Sequence, residues 1–209
     1  MKYTHIVFDI DGTLTDTEYA AIVSLQDMVK CWKGKAYAYD ELKFALGITG
    51  ADALHQLGFA DEEIAPAMRD WEIGLRRHNA EIGVFEGTEE LIAALRDMGC
   101  ALGIATSKTR DQFDKDFCRF DISRHFGVCI TADDTTAHKP TAGPLLKYME
   151  LTGAKREEVL YIGDSAYDSG TAHNAGVDFA LAVWGATDQA VPAQHRPAKP
   201  LDVLRILGC

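Results

Sequence analysis

The stretch His5-Ile6-Val7-Phe8-Asp9-Ile10-Asp11-Gly12-Thr13-Leu14-Thr15 constrains this chain more than any other segment. Residues 4–8 form a short apolar run bounded by polar turn residues, the pattern of a buried strand. The run ends abruptly in two aspartates, a glycine and hydroxyl side chains. In an open parallel α/β sheet, ligands bind just outside the carboxyl ends of the strands. Asp9 and Asp11 fall there, two residues apart and so on one side of an extended chain. Two such carboxylates repel each other unless a cation or a proton lies between them. An Asp-Gly turn alone is ordinary loop chemistry. With each residue type at about one in twenty, the full string Asp-x-Asp-Gly-Thr arises by chance in about one chain of this length per thousand.

Beyond Leu14 the periodicity turns helical. Asp16 or Thr17 can cap a helix in which Ile22, Leu25, Val29 and Trp32 recur at helical spacing. Asp40 can start a short helix ending near Gly47, Thr49-Gly50-Ala51-Asp52 can cap a third, and Asp61 can open a fourth running to about Asn79. This block shows no strand pattern and reads as a helical insertion.

From Val84 the rhythm is helix, strand, helix, strand. Thr88 is expected to cap a helix stopping near Gly99, ahead of a strand over 101–105 that ends in Thr106-Ser107-Lys108. A helix over 109–120 precedes a strand over 128–131. Thr141 caps the next helix, with Pro144 tolerated in its first turn. A strand over 159–162 ends at Gly163-Asp164, a helix closes at Gly176, and the last strand spans 178–183 before a short helix over 201–207. Alternating strands and helices imply parallel pairing with right-handed crossovers. The expected fold is an α/β class, three-layer α/β/α Rossmann-like sandwich with a parallel central sheet and a small inserted helical cap. The core would comprise residues 1–15 and 80–209, the cap 16–79.

A chain of 209 residues can bury one substantial core, with or without a small accessory domain. Its formal charge of −11 argues against a nucleic-acid partner. The charge leaves room for a small phosphate substrate, because a metal ion and one or two lysines reverse the field locally. Cys31, Cys100, Cys118, Cys129 and Cys209 show no Cys-x-x-Cys pair, which suits a reduced, cytoplasmic setting. Met1 leads within a few residues into the first strand, so no signal peptide is expected, and no apolar run reaches membrane-spanning length.

Polar residues recur at the expected strand ends: Asp9 and Asp11 after the first, Thr106 after the second, Asp164 after the fourth with Asp168 one turn on. Lys139-Pro140 precedes the helix that leads back into the fourth strand. Asp9, Asp11 and Asp164 are hard oxygen ligands suited to Mg²⁺. Lys139 offers a fixed positive charge, Thr106 a hydroxyl, and helix-start amides further donors to a phosphate. Taken singly, Thr106 reads as a helix cap, Lys139 as a solvated lysine, and Asp164 and Asp168 as an N-cap and a first-turn acid. Those readings do not explain the recurrence at strand ends. There is no Gly-rich P-loop, no histidine cluster and no Gly-x-Ser-x-Gly elbow. An aspartate can itself act as a nucleophile on phosphorus.

Asp9-Ile10-Asp11-Gly12-Thr13, Ala105-Thr106-Ser107, His138-Lys139-Pro140 and Gly163-Asp164-Ser165-Ala166-Tyr167-Asp168 can be quoted as the motifs of one superfamily. Over essentially its whole length the sequence resembles the haloacid dehalogenase superfamily of aspartyl-phosphate-forming hydrolases. The helical insertion after the first motif looks like the cap of its phosphoglycolate phosphatase and β-phosphoglucomutase branch. The resemblance implies Asp9 as nucleophile and Asp11 as general acid, then base. It implies Mg²⁺ held by Asp9, Asp164 and the backbone carbonyl of Asp11, with Asp168 supporting the metal or its waters. Thr106 and Lys139 would hold the phosphoryl group, in a phosphate site that also includes Gly12 and Ser107.

Asp11 favours phosphorus over carbon as the electrophile, since dehalogenases of the superfamily lack this second aspartate, as do its phosphonatases. β-Phosphoglucomutases carry an arginine in the cap segment resembling Gly47-Ile48-Thr49-Gly50, where this chain has Gly50. Lys30, Lys33, Lys35 and Lys43 are the basic candidates of the cap, although helical lysines are usually solvated. The expected activity is Mg²⁺-dependent hydrolysis of a small, phosphoglycolate-like phosphomonoester, with no nucleic-acid or membrane partner and a monomer or homodimer. Alternatives are a β-phosphoglucomutase-like phosphotransferase, a pyrophosphatase or, from a different class, a non-catalytic phosphate-binding or regulatory protein.

Overall fold

A computed structural model describes residues 2–208; Met1 and Cys209 lie outside the described residues. The chain runs through β1 (His5–Phe8), β2 (Thr15–Asp16), α1 (Glu18–Lys33), a 3₁₀ segment (Tyr39–Ala45), α2 (Gly50–Gln56), α3 (Asp61–Arg77) and β3 (Gly83–Val84). There follow α4 (Thr88–Asp97), β4 (Ala101–Ala105), α5 (Arg110–Gln112), β5 (Val128–Ile130), α6 (Gly143–Thr152), β6 (Val159–Gly163), α7 (Ala166–Ala175), β7 (Asp178–Leu181) and α8 (Val203–Ile206).

Five strands form one parallel sheet in the order β5-β4-β1-β6-β7. The fold is the α/β sandwich expected, because successive side chains of each buried strand feed opposite apolar layers. Ile6, Phe8, Ile104 and Ile162 pack with α4 and α8 on one face, whereas Val7, Tyr161 and Phe179 pack with Tyr148 and Ala172 on the other. After β1 the chain moves outward to β4, and after β6 it moves the opposite way to β7. The two strands therefore diverge at a topological switch point, where an open sheet forms a crevice. Asp9 and Asp164 lie at its lip.

Residues 18–77 build their own apolar cluster, with Ile22, Leu25, Val29, Leu42 and Leu54 almost fully excluded from solvent. Thr49 caps α2 by accepting the Asp52 N–H at 3.1 Å. Thr17 stands at the N-cap of α1, but its side chain accepts no capping bond.

Several local expectations need correction. β2 pairs antiparallel with β3, Thr15 opposite Val84 and Asp16 opposite Gly83, so a short ribbon joins the two crossings where none was expected. Two-residue strands carry too little alternation to register as a pattern. Gly87, at φ 85°, caps α4, while the Thr88 hydroxyl is buried without a hydrogen-bond partner. Thr141 stands outside α6, although its oxygen accepts the Gly143 N–H at 3.3 Å. In place of one helix over 109–120, α5 widens into a π turn (Phe113–Phe117) and a separate 3₁₀ turn follows (Asp121–His125). The wider turn buries both Phe113 and Phe117 against the core and turns Asp116 toward the sheet edge, as π turns at ligand sites often do. The last strand stops at Leu181, and the Val183 N–H bonds instead to the Pro197 carbonyl at 3.2 Å. None of the four described cysteines forms a disulfide, and no helix among the described residues is long and apolar enough to cross a membrane.

Candidate active site

Asp9 extends the β1 ladder by one bond, its N–H donating to the Ile162 carbonyl at 2.9 Å. The chain then winds around the Ile10 carbonyl, which accepts N–H bonds from Thr13, Leu14 and Thr15 at 3.2, 2.8 and 2.9 Å. Gly12, at φ 76°, makes that turn possible. A Cβ there would lie 2.4 Å from Asp164 Oδ2, so only glycine lets the loop close against that carboxylate. The Thr13 hydroxyl donates to Asp164 Oδ1 at 3.0 Å, and the Trp184 indole N–H holds the Thr13 carbonyl at 2.9 Å. Two loops separated by some 150 residues of sequence, one following β1 and one following β6, are thereby locked in register.

Beneath them lies a buried ionic centre. Lys139 Nζ is 2.8 Å from Asp9 Oδ1 and 2.7 Å from Asp168 Oδ1, with side-chain exposures of 1, 4 and 0% for Lys139, Asp9 and Asp168. Asp168 Oδ1 also accepts the Tyr161 hydroxyl at 2.7 Å, and its Oδ2 accepts the Ser165 N–H and hydroxyl at 3.1 and 2.5 Å. Burial works to neutralise Asp168, yet Lys139, Ser165 and Tyr161 together hold its carboxyl below the usual range. Burial also opposes charge on Lys139, but Asp168 and Asp9 outweigh it and raise its affinity for the proton. Asp9 is less compensated: burial, with Asp168 and Asp11 nearby, pushes it up to about 7 despite Lys139. Asp164 is raised as well, by burial first and then by Asp168 and Asp9.

Ligand oxygens of Asp9, Asp164 and Asp168 lie within 4.8 Å of one another. Two carboxylates that resist ionising together, with hard oxygens converging on one point, fit a small divalent cation such as Mg²⁺. Because both Asp168 oxygens already accept protein donors, that residue orients Lys139 and the loop, while Asp9 and Asp164 keep the freer oxygens.

Asp11 has a cationic partner of its own. Its carboxylate is 3.1 Å from Lys108 Nζ, which also lies 3.6 Å from Asp116. Asp9, Asp11, Thr106, Ser107, Lys108 and Asp116 form the floor of a cavity of about 110 Å³ between the sheet edge and the helical layer. Thr106 is buried, and its oxygen accepts the Lys108 N–H at 3.3 Å. The Ser107 hydroxyl, expected at the phosphate, donates instead to the Gly47 carbonyl at 2.9 Å and ties the helical layer to the core.

A family model described as haloacid dehalogenase-like hydrolase matches residues 6–182, a span that holds every one of these site residues except Trp184. The chain belongs to that family. It is 28% identical over 203 residues to the pyrophosphatase PpaX of Bacillus cereus, covering 97% of this chain and 93% of the relative. It is 30% identical over 198 residues to a provisionally named pyrophosphatase PpaX of Caldanaerobacter subterraneus, covering 94 and 89% of the two chains. A crystal structure of a provisionally named phosphoglycolate phosphatase from Lactobacillus plantarum superposes with a TM-score of 0.89 at 32% identity, over 99% of this chain and all of that one.

For a haloacid dehalogenase-like hydrolase, the sequence reading brings together Asp9, Asp11, Gly12, Thr106, Lys139, Asp164 and Asp168. It misses the residues that hold them. Tyr161 sits inside β6, where alternation marks it only as core, yet its hydroxyl bridges Asp168 and the Ala105 carbonyl at 2.7 and 3.0 Å. Lys108 stands in the quoted Thr-Ser-Lys string, but its partner Asp116 comes from the unforeseen π turn. Glu72 and Gln112, joined across the layers at 3.2 Å, give no sequence signal for their pairing.

Proposed function

We propose that this protein is a Mg²⁺-dependent phosphatase that hydrolyses a small phosphomonoester through an aspartyl-phosphate on Asp9. The observation that carries the reading is the buried Asp9, held by Lys139 yet open to a cavity whose floor also presents Asp11 and Thr106. Asp9 and Asp164, with the Asp11 carbonyl, would hold Mg²⁺, which supplies positive charge to offset that of the phosphate. Phosphoryl transfer is mostly positioning and charge neutralisation, and this floor offers both.

An Asp9 carboxylate oxygen forms a bond to phosphorus as the P–O bond to the leaving alcohol breaks. Asp11 gives that oxygen its proton. A water oxygen then bonds to phosphorus, Asp11 takes the water's proton, and the bond to Asp9 breaks, so phosphate leaves and the carboxylate is restored. Thr106 and Lys139 fix the phosphoryl oxygens, Gly12 contributes backbone, and Ser107 acts chiefly by tethering the two layers. Lys108 and Asp116 hold Asp11 at the floor.

The helical segment acts in this reading as a cap domain over residues 16–79 on a core of 1–15 and 80–209, excluding water during transfer. A mutase reading has less support, since Gly50 lines the cavity and a Cβ there would lie 2.6 Å from the Met68 thioether, leaving no room for an arginine unless Met68 moves. The direct test is turnover of p-nitrophenyl phosphate with Mg²⁺ by the wild type and by Asp9→Asn. The reading requires turnover in the first and none in the second, with both folded by circular dichroism; equal turnover refutes it.

A further inference from the structure

The named relatives divide between a pyrophosphatase and a phosphoglycolate phosphatase, whose substrates carry a second anionic group beyond the transferring phosphoryl. The cavity is built against such a group. Resting on the phosphatase reading, we infer that the preferred leaving group is an uncharged alcohol offering apolar surface and a hydrogen-bond donor.

The roof opposite Asp9 is formed by Ile22, Leu46, Ile48, Met68, Trp71 and Leu75. Trp71 turns only its ring to the space, because its indole N–H donates to the Ala21 carbonyl and the Ser24 hydroxyl, both at 3.1 Å. Among the described residues lining the cavity the one ammonium is Lys108, already placed between Asp11 and Asp116 at 3.1 and 3.6 Å. Of the helical layer's four lysines, Lys30 is exposed on α1 and does not line the cavity, and the other three are engaged elsewhere. Lys33 pairs with Glu63 at 2.6 Å, Lys43 with Glu18 and Asp40 at 3.1 and 3.3 Å, and Lys35 lies 4.1 Å above the Tyr37 ring.

The charged group on the roof is a carboxylate. Glu72 lines the cavity, accepts the Gln112 side-chain N–H at 3.2 Å and lies 3.4 Å from the half-exposed Arg76. A distal phosphoryl or carboxylate entering here loses water, finds Lys108 as the one cation lining the cavity and already engaged, and faces Glu72 across an apolar wall, with Arg76 outside the lining. Taking an anion out of water without a partner is costly, and placing it near a like charge costs more. A hydroxyl or N–H on a neutral leaving group would instead donate to Glu72 while its carbon surface covers Met68 and Trp71. Glu72 thus works as the repulsive element that separates substrates sharing one phosphoryl group.

The test uses the Mg²⁺-loaded full chain and esters differing at one group. 2-Hydroxyethyl phosphate and 2-phosphoglycolate differ only by a CH₂OH in place of a carboxylate; benzyl phosphate and pyrophosphate extend the contrast. The expected kcat/KM for both neutral esters exceeds that for phosphoglycolate and for pyrophosphate by about tenfold or more, since a like-charge clash costs more than the ~1.4 kcal/mol of one decade. Glu72→Gln should narrow the hydroxyethyl-to-phosphoglycolate ratio severalfold, a comparison within one variant that a general loss of folding does not move. Phosphoglycolate or pyrophosphate matching or surpassing the neutral esters overturns the inference while leaving the phosphatase reading standing. An unchanged ratio in Glu72→Gln removes Glu72 as the discriminating charge. No turnover of any ester, p-nitrophenyl phosphate included, overturns the inference and the reading beneath it together.

Discussion

On the core side of the cavity a centre of charged, buried and cross-linked side chains, Asp9, Lys139 and Asp168, underlies the floor; on the helical side the side chains are mostly apolar and held by packing. Asp168 accepts from Lys139, Tyr161 and Ser165, and Lys139 bridges two carboxylates, so the floor has few alternative arrangements. The roof of Ile22, Met68 and Trp71 belongs to the separate apolar cluster of the helices and touches the core through few polar ties, such as Ser107 to Gly47. Networks of buried charge are intolerant of change, whereas apolar surfaces accept substitution at modest cost. The difference teaches that the floor can keep one chemistry while the roof varies what it admits.

The largest effect that could break this contrast is at Asp9. Asp9→Asn is expected to lower kcat for an aryl phosphate by about 10⁴-fold or more, as loss of a nucleophile does elsewhere. The variant should fold, because the change removes one of the carboxylates that crowd the centre. Nearly as large is the effect of metal removal: EDTA should abolish turnover, with activity restored by Mg²⁺. Mg²⁺ should also raise the melting temperature, by a stabilisation of about 2.7 kcal/mol at one hundred times Kd. A metal-free enzyme with full activity would contradict the role of Asp9 and Asp164.

Lys139→Ala strands Asp9 and Asp168 without their buried counter-charge. A destabilisation of about 3–5 kcal/mol, read by urea unfolding, is expected for a broken buried pair. On the roof, Met68→Ala should cost only about 1–2 kcal/mol, below the range for fully buried methionines, since Met68 is partly exposed. Its effect should fall on KM for the ester rather than on kcat.

The smallest effect belongs to a charge far from the cavity, at the amino edge of the same sheet. Lys2 and the Tyr3 hydroxyl donate to Asp178 at 2.5 and 2.6 Å, and these bonds hold the Asp178 carboxyl below its ordinary value. A carboxyl depressed in the folded state stabilises above its unfolded pKa and loses that contribution as pH falls through the folded value. Asp178→Asn should therefore cost less than about 1 kcal/mol at neutral pH, given solvent screening. The gap from wild type should close below about pH 4, with turnover unaffected throughout.

Much of the floor was legible because its residues other than Asp116 end a strand or adjoin a motif. Asp9, Thr106 and Asp164 follow apolar runs whose boundaries are marked by abrupt polarity, and a parallel sheet gathers those ends at one edge. What was not legible depends on contacts between distant residues with no local pattern. The β2–β3 ribbon has two residues a side, and Asp116 reaches Lys108 only because the helix widens at Phe113. Periodicity placed Ile22, Leu25 and Val29 on one face of α1, but could not say that Ile22 also reaches the cavity whereas Leu25 and Val29 do not line it. The hydroxyl of Ser107 adjoins a motif, yet its partner was fixed by the helical layer.

The central claim, that Asp9 accepts the phosphoryl group, is tested most directly by trapping the intermediate. Enzyme quenched in acid during turnover and then reduced with borohydride converts an aspartyl-phosphate to homoserine, which peptide mass spectrometry locates by residue. Homoserine at position 9, absent without substrate and absent in Asp9→Asn, is the predicted result. A turning-over enzyme in which Asp9 stays unmodified while another residue carries the label would contradict the account.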